Sequence, residues 1–255
     1  MRSIFYAFTI SLIVLSCSSD DNAGTPSNDQ ILNNATSQLC PGLVGPSAVY
    51  WDQAHGILGG LSQVPLLSNP GQQFIHSQYP PVNFTMPAGY TAQEISGIHT
   101  VGVNVFRQDD QVIWRYLPNA ANFGPSISAL DVIANEINNL LGFYGFNGAP
   151  TVICSEQSQM PQGNFFVDSQ SRLIQFGNRT AQVNVLVNTF GQGPGSQGIS
   201  VRMVTGTTAE YEQLVSSVFL PLDWQLLVVD ENVRDTDADG TPDFQDAFPF
   251  DPTRQ

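Results

Sequence analysis

Between residues 101 and 229 the apolar and polar positions recur with periods that separate strands from helices. Val101, Val103 and Val105 alternate with Gly102, Asn104 and Phe106, the period of two expected of a strand with one buried face. Arg107-Gln108-Asp109-Asp110-Gln111 has the composition of a turn, and Val112, Trp114 and Tyr116 then share one face, so the segment predicts a β-hairpin. Leu130, Ile133, Ile137, Leu140 and Leu141 follow helical spacing. Ser126 and Ser128 offer N-caps to that helix, Asp131 suits the positive end of its dipole, and Gly142 closes it. Strands are expected at 151–154, 164–167 and 173–176. Clearer ones lie at 181–189, where Val183, Val185 and Val187 share a face, and at 199–205. Thr207-Thr208-Ala209-Glu210 has capping-box spacing. It opens a second helix that buries Tyr211, Leu214, Val215, Val218 and Phe219; Pro221 breaks it, and 224–229 adds a last strand. Residues 40–84, rich in Gly, Pro, Ser and Gln, read as mostly irregular, with one or two short strands or helical turns.

This order predicts an α+β domain over 39–230, an antiparallel sheet with about two helices packed on one face. No repeat of 20–50 residues is present. The element order is similar to the small α/β fold shared by PsbP and Mog1 proteins, a likeness that no motif carries.

Composition narrows the function. Of the 255 residues 42% are apolar, enough for a core, whereas only 12% are charged, about half the usual share. Lysine is absent and Asn and Gln number 40, so amides wet the surface in place of charges. A net charge of −14 argues against nucleic-acid binding, which needs basic patches, and against docking to anionic lipid. The excess is uneven: residues 230–255 carry eight acids and two arginines, a net −6, as much as the whole of 40–229.

The N-terminus has chemistry of its own. Met1-Arg2 precedes an apolar stretch from Ile4 to Leu15, too short to span a bilayer, which needs about 20 residues, but suited to a secretory signal. It ends Val14-Leu15-Ser16-Cys17 and resembles the lipobox of bacterial lipoproteins. The resemblance implies a signal peptide over 1–16, diacylglyceryl transfer to the Cys17 thiol, cleavage before it and acylation of the new amine. Several acyl chains, at about 0.8 kcal/mol per buried methylene, anchor firmly where one binds marginally. Ser18-Ser19-Asp20-Asp21-Asn22 resembles the acidic signals that send Bacteroidetes lipoproteins to the outer face of the outer membrane; it reads equally as a polar linker. Residues 17–38 bury too little apolar surface to fold alone and are expected to be a flexible spacer. With Cys17 lipidated, Cys40 and Cys154 remain in an oxidising compartment and are expected to pair, the alternative being two buried free thiols.

The strongest chemical motif lies at 231–255. Asp235, Asp237 and Asp239 with Gly240, then Thr241, Asp243 and Asp246, space oxygens as a loop around calcium requires. Position 12 is aspartate, Pro242 interrupts, and no flanking helices are expected, so the match to an EF-hand is partial. The segment resembles a thrombospondin type 3 repeat, including the Ala247-Phe248-Pro249-Phe250-Asp251-Pro252 ending of bacterial examples. The resemblance implies calcium as the cofactor. Family members share ligands between tandem repeats, and this chain has one copy.

Catalytic candidates are sparse. His55, His76 and His99 have no metal-ligand spacing; Ser47, Asp52 and His55 are neighbours in sequence, but nothing positions a nucleophile. There is no G-x-S-x-G elbow, and the glycine-rich 191–198 lacks the lysine and threonine of a phosphate loop, so it reads as a hairpin loop. Glu94, Glu136 and Glu156 are candidate acid/base groups. Tyr50, Trp51, Phe74 and Tyr79 could line a groove, though aromatic residues more often pack a core. No catalytic residue is assigned. The expected protein is a non-enzymatic, membrane-anchored envelope lipoprotein that binds a small ligand or another envelope protein, with a structural calcium site. The alternative is an envelope hydrolase of a polymeric substrate with its site in 45–100.

Overall fold

The two-residue periodicity becomes sheet. The structure, a computed structural model, describes residues 28–57, 64–162, 165–190 and 196–227 and the single positions 241, 248, 253 and 254. Its strands are β1 (Pro70–Ile75), β2 (Asn83–Pro87), β3 (Tyr90–Gly97), β4 (Thr100–Arg107), β5 (Ile113–Asn122), β6 (Thr151–Gln162), β7 (Phe165–Phe176), β8 (Arg179–Phe190) and β9 (Gln197–Thr207). Its helices are α1 (Asn28–Asn34), α2 (Pro46–Gln53), α3 (Ala129–Phe143), α4 (Tyr211–Leu214) and α5 (Leu220–Leu227), the last two joined by a π-helical stretch at Val215–Phe219. Strands β3 to β9 form one antiparallel sheet in the order β3-β4-β5-β9-β8-β7-β6, and β1 pairs with β2 alone. Two meanders, β3–β5 and β6–β9, thus meet at the β5–β9 pair, with α3 crossing between them. The α+β class and the antiparallel sheet stand as expected.

The hairpin turn is held by its own acids. The Asp109 carboxylate accepts from Arg107 Nε at 2.9 Å and from Gln111 N at 2.9 Å, and Asp110 takes the left-handed conformation at φ 58°. Helix α3 starts as its sequence requires: Ser128 Oγ accepts from Asp131 N at 3.1 Å, and the Asp131 carboxylate accepts from Ser128 N at 3.3 Å. A second carboxylate, Asp168 on β7, takes the free N–H of Ala129 at 2.8 Å.

Other expectations are corrected. The helices do not share a face. Consecutive residues Ile113/Trp114, Leu173/Ile174 and Met203/Val204 are both buried, so the centre of the sheet is apolar on both sides and needs two covers. Helix α3 covers one with Val132, Ile133, Leu140 and Leu141, against Val183, Val185, Val187 and Val201. Helix α2, the β1–β2 hairpin and the C-terminal helices cover the other with Trp51, Phe84, Phe219 and Leu222, against Val103, Val105, Trp114 and Val204. Leu130, expected on the buried stripe of α3, is exposed.

The flexible spacer does not extend through residue 38. Helix α1 buries Leu32 to 6% exposure, and Gly45 N donates to Ala35 O at 2.7 Å, so the domain begins by Asn28. Pro221 does not end the second helix. The chain widens into a π turn in which Leu220 N–H reaches back to Val215 O, and Pro221, which has no N–H to place, lies in the first turn of α5. The predicted strand at 224–229 is therefore helix through Leu227: Phe219, Leu222, Asp223 and Leu226 repeat at three and four residues. Thr207 donates to Glu210 at 2.8 Å, but helix α4 starts after Glu210 without a side-chain cap, so the capping box does not form as predicted. The expected piece at 151–154 and the described part, 165–167, of that at 164–167 belong to twelve-residue strands. Pro161 is tolerated on β6 because that strand is an edge.

Cys40 and Cys154 form a disulfide, with their Cα atoms 5.9 Å apart, tying the segment before α2 to β6.

Candidate functional site

Strands β7, β8 and β9 present valines and isoleucines to α3 and, on the opposite face, Ser169, Ser171, Asn184, Ser200 and Arg202. Helix α2 and α5 shield only part of that second face. Over the rest lies a groove of about 500 Å³, floored by those side chains. Glu156, Ser158 and Met160 of β6 flank it on one side, and Leu39, Ala54 and His55 wall it on the other. Leu39 is held there by Asp52 and, one residue on, by the disulfide.

Arg202 is the cation of the groove. Its Nη2 donates to Ala54 O at 3.3 Å, and its Nη1 lies 3.7 Å from Asp223 Oδ2. Asp223 is buried and accepts from Tyr50 Oη at 2.8 Å and Trp114 Nε1 at 2.7 Å. Burial pushes the pKa of Asp223 up; Arg202 and the two hydrogen bonds pull against it. Burial also raises the Tyr50 hydroxyl well above its usual range. This network fixes one side of Arg202 and leaves the guanidinium partly exposed to the groove. His55 stacks on Trp51, with ring centroids 4.7 Å apart, and its Nδ1 donates to Trp51 O at 2.6 Å. That bond sets the tautomer and leaves Nε2 as an acceptor, buried and without a partner among the described residues. The groove thus offers hydroxyls, an amide, a guanidinium and a carboxylate beside the His55 ring.

The neighbours in sequence do not become a catalytic set. Asp52 accepts from Ser37 Oγ at 2.6 Å and Gln38 N at 3.0 Å, anchoring the loop before the disulfide. Ser47 donates to Glu212 through its hydroxyl, and through its N–H at 2.9 Å. Glu94 is held by Ser77 and Ser96, whose hydrogen bonds bring its pKa down to about 2. Glu136 pairs with Arg115 at 3.3 Å, beside a cavity of about 200 Å³ under α3. Only Glu156 of the three candidate glutamates lines the groove. His76 is buried: Nδ1 accepts from Gln78 N and Tyr79 N at 3.2 and 3.1 Å, and Nε2 donates to Ile95 O at 3.2 Å. His99 packs edge-on to Phe123. Tyr50 and Trp51 are core residues, Phe74 packs against the core, and Tyr79 is exposed. Phe190 N donates to Ser196 O at 2.9 Å, so the glycine-rich run connects a hairpin.

Cys17 and the residues expected to bind calcium, Asp235, Asp237, Asp239, Asp243 and Asp246, lie outside the described residues; of that set only Thr241 is described. Among the described residues no three His, Cys, Asp or Glu side chains group as a metal site, and no helix is long and apolar enough to cross a membrane. The groove had a signal in the sequence, Asn184, Ser200 and Arg202 alternating with valine on β8 and β9, but alternation does not say which half of a face stays uncovered.

Fold and site together define an α+β domain with a polar groove on a half-covered sheet. No protein-family model and no curated protein matches the sequence. Among solved structures the chain is similar to cyanobacterial PsbP from Synechocystis sp. PCC 6803, at 11% identity and a TM-score of 0.30, over 61% of this chain and 88% of that one.

Proposed function

We propose that the chain is an envelope lipoprotein, held at the outer membrane and exposed at the cell surface through acylated Cys17. Its α+β domain is a non-enzymatic binding module, and its C-terminal calcium loop is structural. The groove over β6–β9 carries the binding half of this reading, because it gathers hydrogen-bonding side chains around one guanidinium on a rigid sheet. Its chemistry suits a small polar ligand that presents several hydroxyl or amide groups and an anionic group to Arg202. The lipobox residues and the acidic run after Cys17 support the anchor, and the Asp-rich spacing supports calcium.

The test is capture from envelope extract by the intact lipoprotein and by Asn184→Trp, which fills the groove floor. Capture is expected to be lost in the variant; equal capture by both proteins overturns the groove as the site. Cys17→Ser is expected to move the protein out of the membrane fraction. His55, which lines this groove and whose buried Nε2 has no partner among the described residues, favours one alternative, an envelope hydrolase. Turnover of an envelope polymer that disappears in His55→Gln would establish it.

A further inference from the structure

The side chains that floor and flank the groove stand in register. Glu156 on β6 lies opposite Ser171 on β7, Ser171 opposite Asn184 on β8, and Asn184 opposite Arg202 on β9. These four make one row across the groove, three strand spacings or about 14 Å from end to end. Two residues further along, Ser158, Ser169, Leu186 and Ser200 make a second row, about 7 Å from the first. The first row is graded by charge: a carboxylate at its β6 end, a guanidinium at its β9 end, and a hydroxyl and an amide between them. Glu156 is half-buried and has no hydrogen bond or ion pair among the described residues. Arg202 is braced from below and stays partly exposed. In the second row the Ser169 and Ser200 hydroxyls are tied to Ser158 O at 3.3 Å and Pro118 O at 2.6 Å, which leaves Leu186, with Met160 beside it, as an apolar contact.

We propose that the groove takes a short peptide with free termini, laid across β6–β9 with its ammonium at Glu156 and its carboxylate at Arg202. The proposal deepens the groove reading above and rests on it. Charge complementarity selects the ligand. The row has one charge of each sign at its two ends, so a molecule with opposed terminal charges satisfies both. An anionic polymer would meet Glu156 and a chain of net charge −14, and a neutral sugar would cover both charges without pairing them. Length fits as well. Ion-pair contacts of about 2.8 Å at each end leave about 8 Å between the ligand's charges, the span of about two or three extended residues. Ser171 and Asn184 then lie beneath the peptide groups, and Leu186 meets a side chain.

The experiment is calorimetric titration of the intact, disulfide-bonded protein with tripeptides that have alanine at both ends and a varied middle residue. Each binder is repeated with an acetylated N-terminus and with an amidated C-terminus. At least one free tripeptide is expected to bind at millimolar concentration or below, and Asn184→Trp to abolish that binding. Acetylation is expected to weaken binding about tenfold in the wild type and not at all in Glu156→Gln; amidation does the same for the wild type and Arg202→Gln. Should Arg202→Gln not fold, amidation on the wild type alone tests that end. Blocked peptides that bind as well as free ones, or an acetylation penalty that persists in Glu156→Gln, overturn the proposal. So does the absence of binding by every tripeptide. In that last case, capture from envelope extract that Asn184→Trp still abolishes leaves the groove reading standing without the peptide, whereas capture unchanged by the variant removes both.

Discussion

Asp223 is the buried charge on which the groove side of the core depends, and its removal has a calculable cost. In Asp223→Ala the Tyr50 hydroxyl and the Trp114 indole N–H, 2.8 and 2.7 Å from the carboxylate, lose their acceptor while both residues stay buried. An orphaned buried donor costs about 1–3 kcal/mol, and breaking a buried charge network about 3–5 kcal/mol, so the expected loss is about 3–5 kcal/mol. Asp223→Asn keeps one oxygen for the indole, and its amide can donate to the Tyr50 oxygen, so about 1–2 kcal/mol is expected. The pH dependence has a definite sign. Burial raises the folded pKa of Asp223 above its unfolded value. A raised carboxyl contributes fully below the unfolded value, about 3.9, and loses that contribution as pH rises through the folded one. The stability advantage of the wild type over Asp223→Asn is therefore widest near pH 4 and narrows toward neutrality. The carboxylates with lowered pKa (Glu94, Asp109, Asp131 and Glu210) weaken both proteins alike on acidification and cancel in the difference. Urea unfolding of the disulfide-intact proteins, followed by tryptophan fluorescence from about pH 4 to pH 7, measures both quantities. A cost below about 1 kcal/mol for Asp223→Ala, or a gap that widens with pH, would refute the reasoning; the second result would mean that Arg202 outweighs desolvation.

Three more outcomes follow from the same contacts. Cys40→Ser with Cys154→Ser opens a 114-residue loop and is expected to cost up to about 4–5 kcal/mol, read as a lower midpoint in urea; an unchanged midpoint contradicts it. Gly102→Ala places a Cβ 2.8 Å from Leu117 Cδ1 and 2.9 Å from Tyr116 O, so about 1–3 kcal/mol of destabilisation is expected by thermal melting. Calorimetric titration of the intact chain with millimolar calcium is expected to give heat that Asp239→Asn reduces; no heat from the wild type rules out the calcium loop.

What was legible in the sequence was whatever depends on local period. Strands β4, β5, β8 and β9 and the capped start of α3 follow from alternation and from Ser128 with Asp131. Strand β3 escaped because it is an edge: only Tyr90, Ala92 and Ile95 of its side chains pack against the two cores, which leaves a weak pattern. The C-terminal segment misled because Pro221 is a breaker by local rules, whereas a π turn and the anchoring of Asp223 and Gln225 carry the helix past it. The pairing of Cys40 with Cys154 was legible once Cys17 was set aside for the lipobox, because two cysteines then remain. The groove was not, because it depends on which part of the sheet α2 and α5 leave bare.

That dependence explains why the groove is polar. Seven strands make a sheet wider than one short helix layer can cover. On the α3 face the row of β8 made by Ala181, Val183, Val185 and Val187 needs a lid and has one. On the other face α2, α5 and the β1–β2 hairpin pack over the β4–β5 half, where Val103, Val105 and Trp114 are apolar. Past Arg202 no lid remains among the described residues, and the inward positions turn to Ser169, Ser171, Asn184 and Ser200. A solvated sheet face requires only that these residues be polar. It does not require a guanidinium braced by a buried Asp223, or an imidazole whose tautomer is fixed and whose second nitrogen is buried without a partner among the described residues. Both groups lie at the boundary where the lid stops, and each carries an ordering cost that a merely wetted surface does not need. Their presence there is the physical reason to read the uncovered half of the sheet as a binding surface.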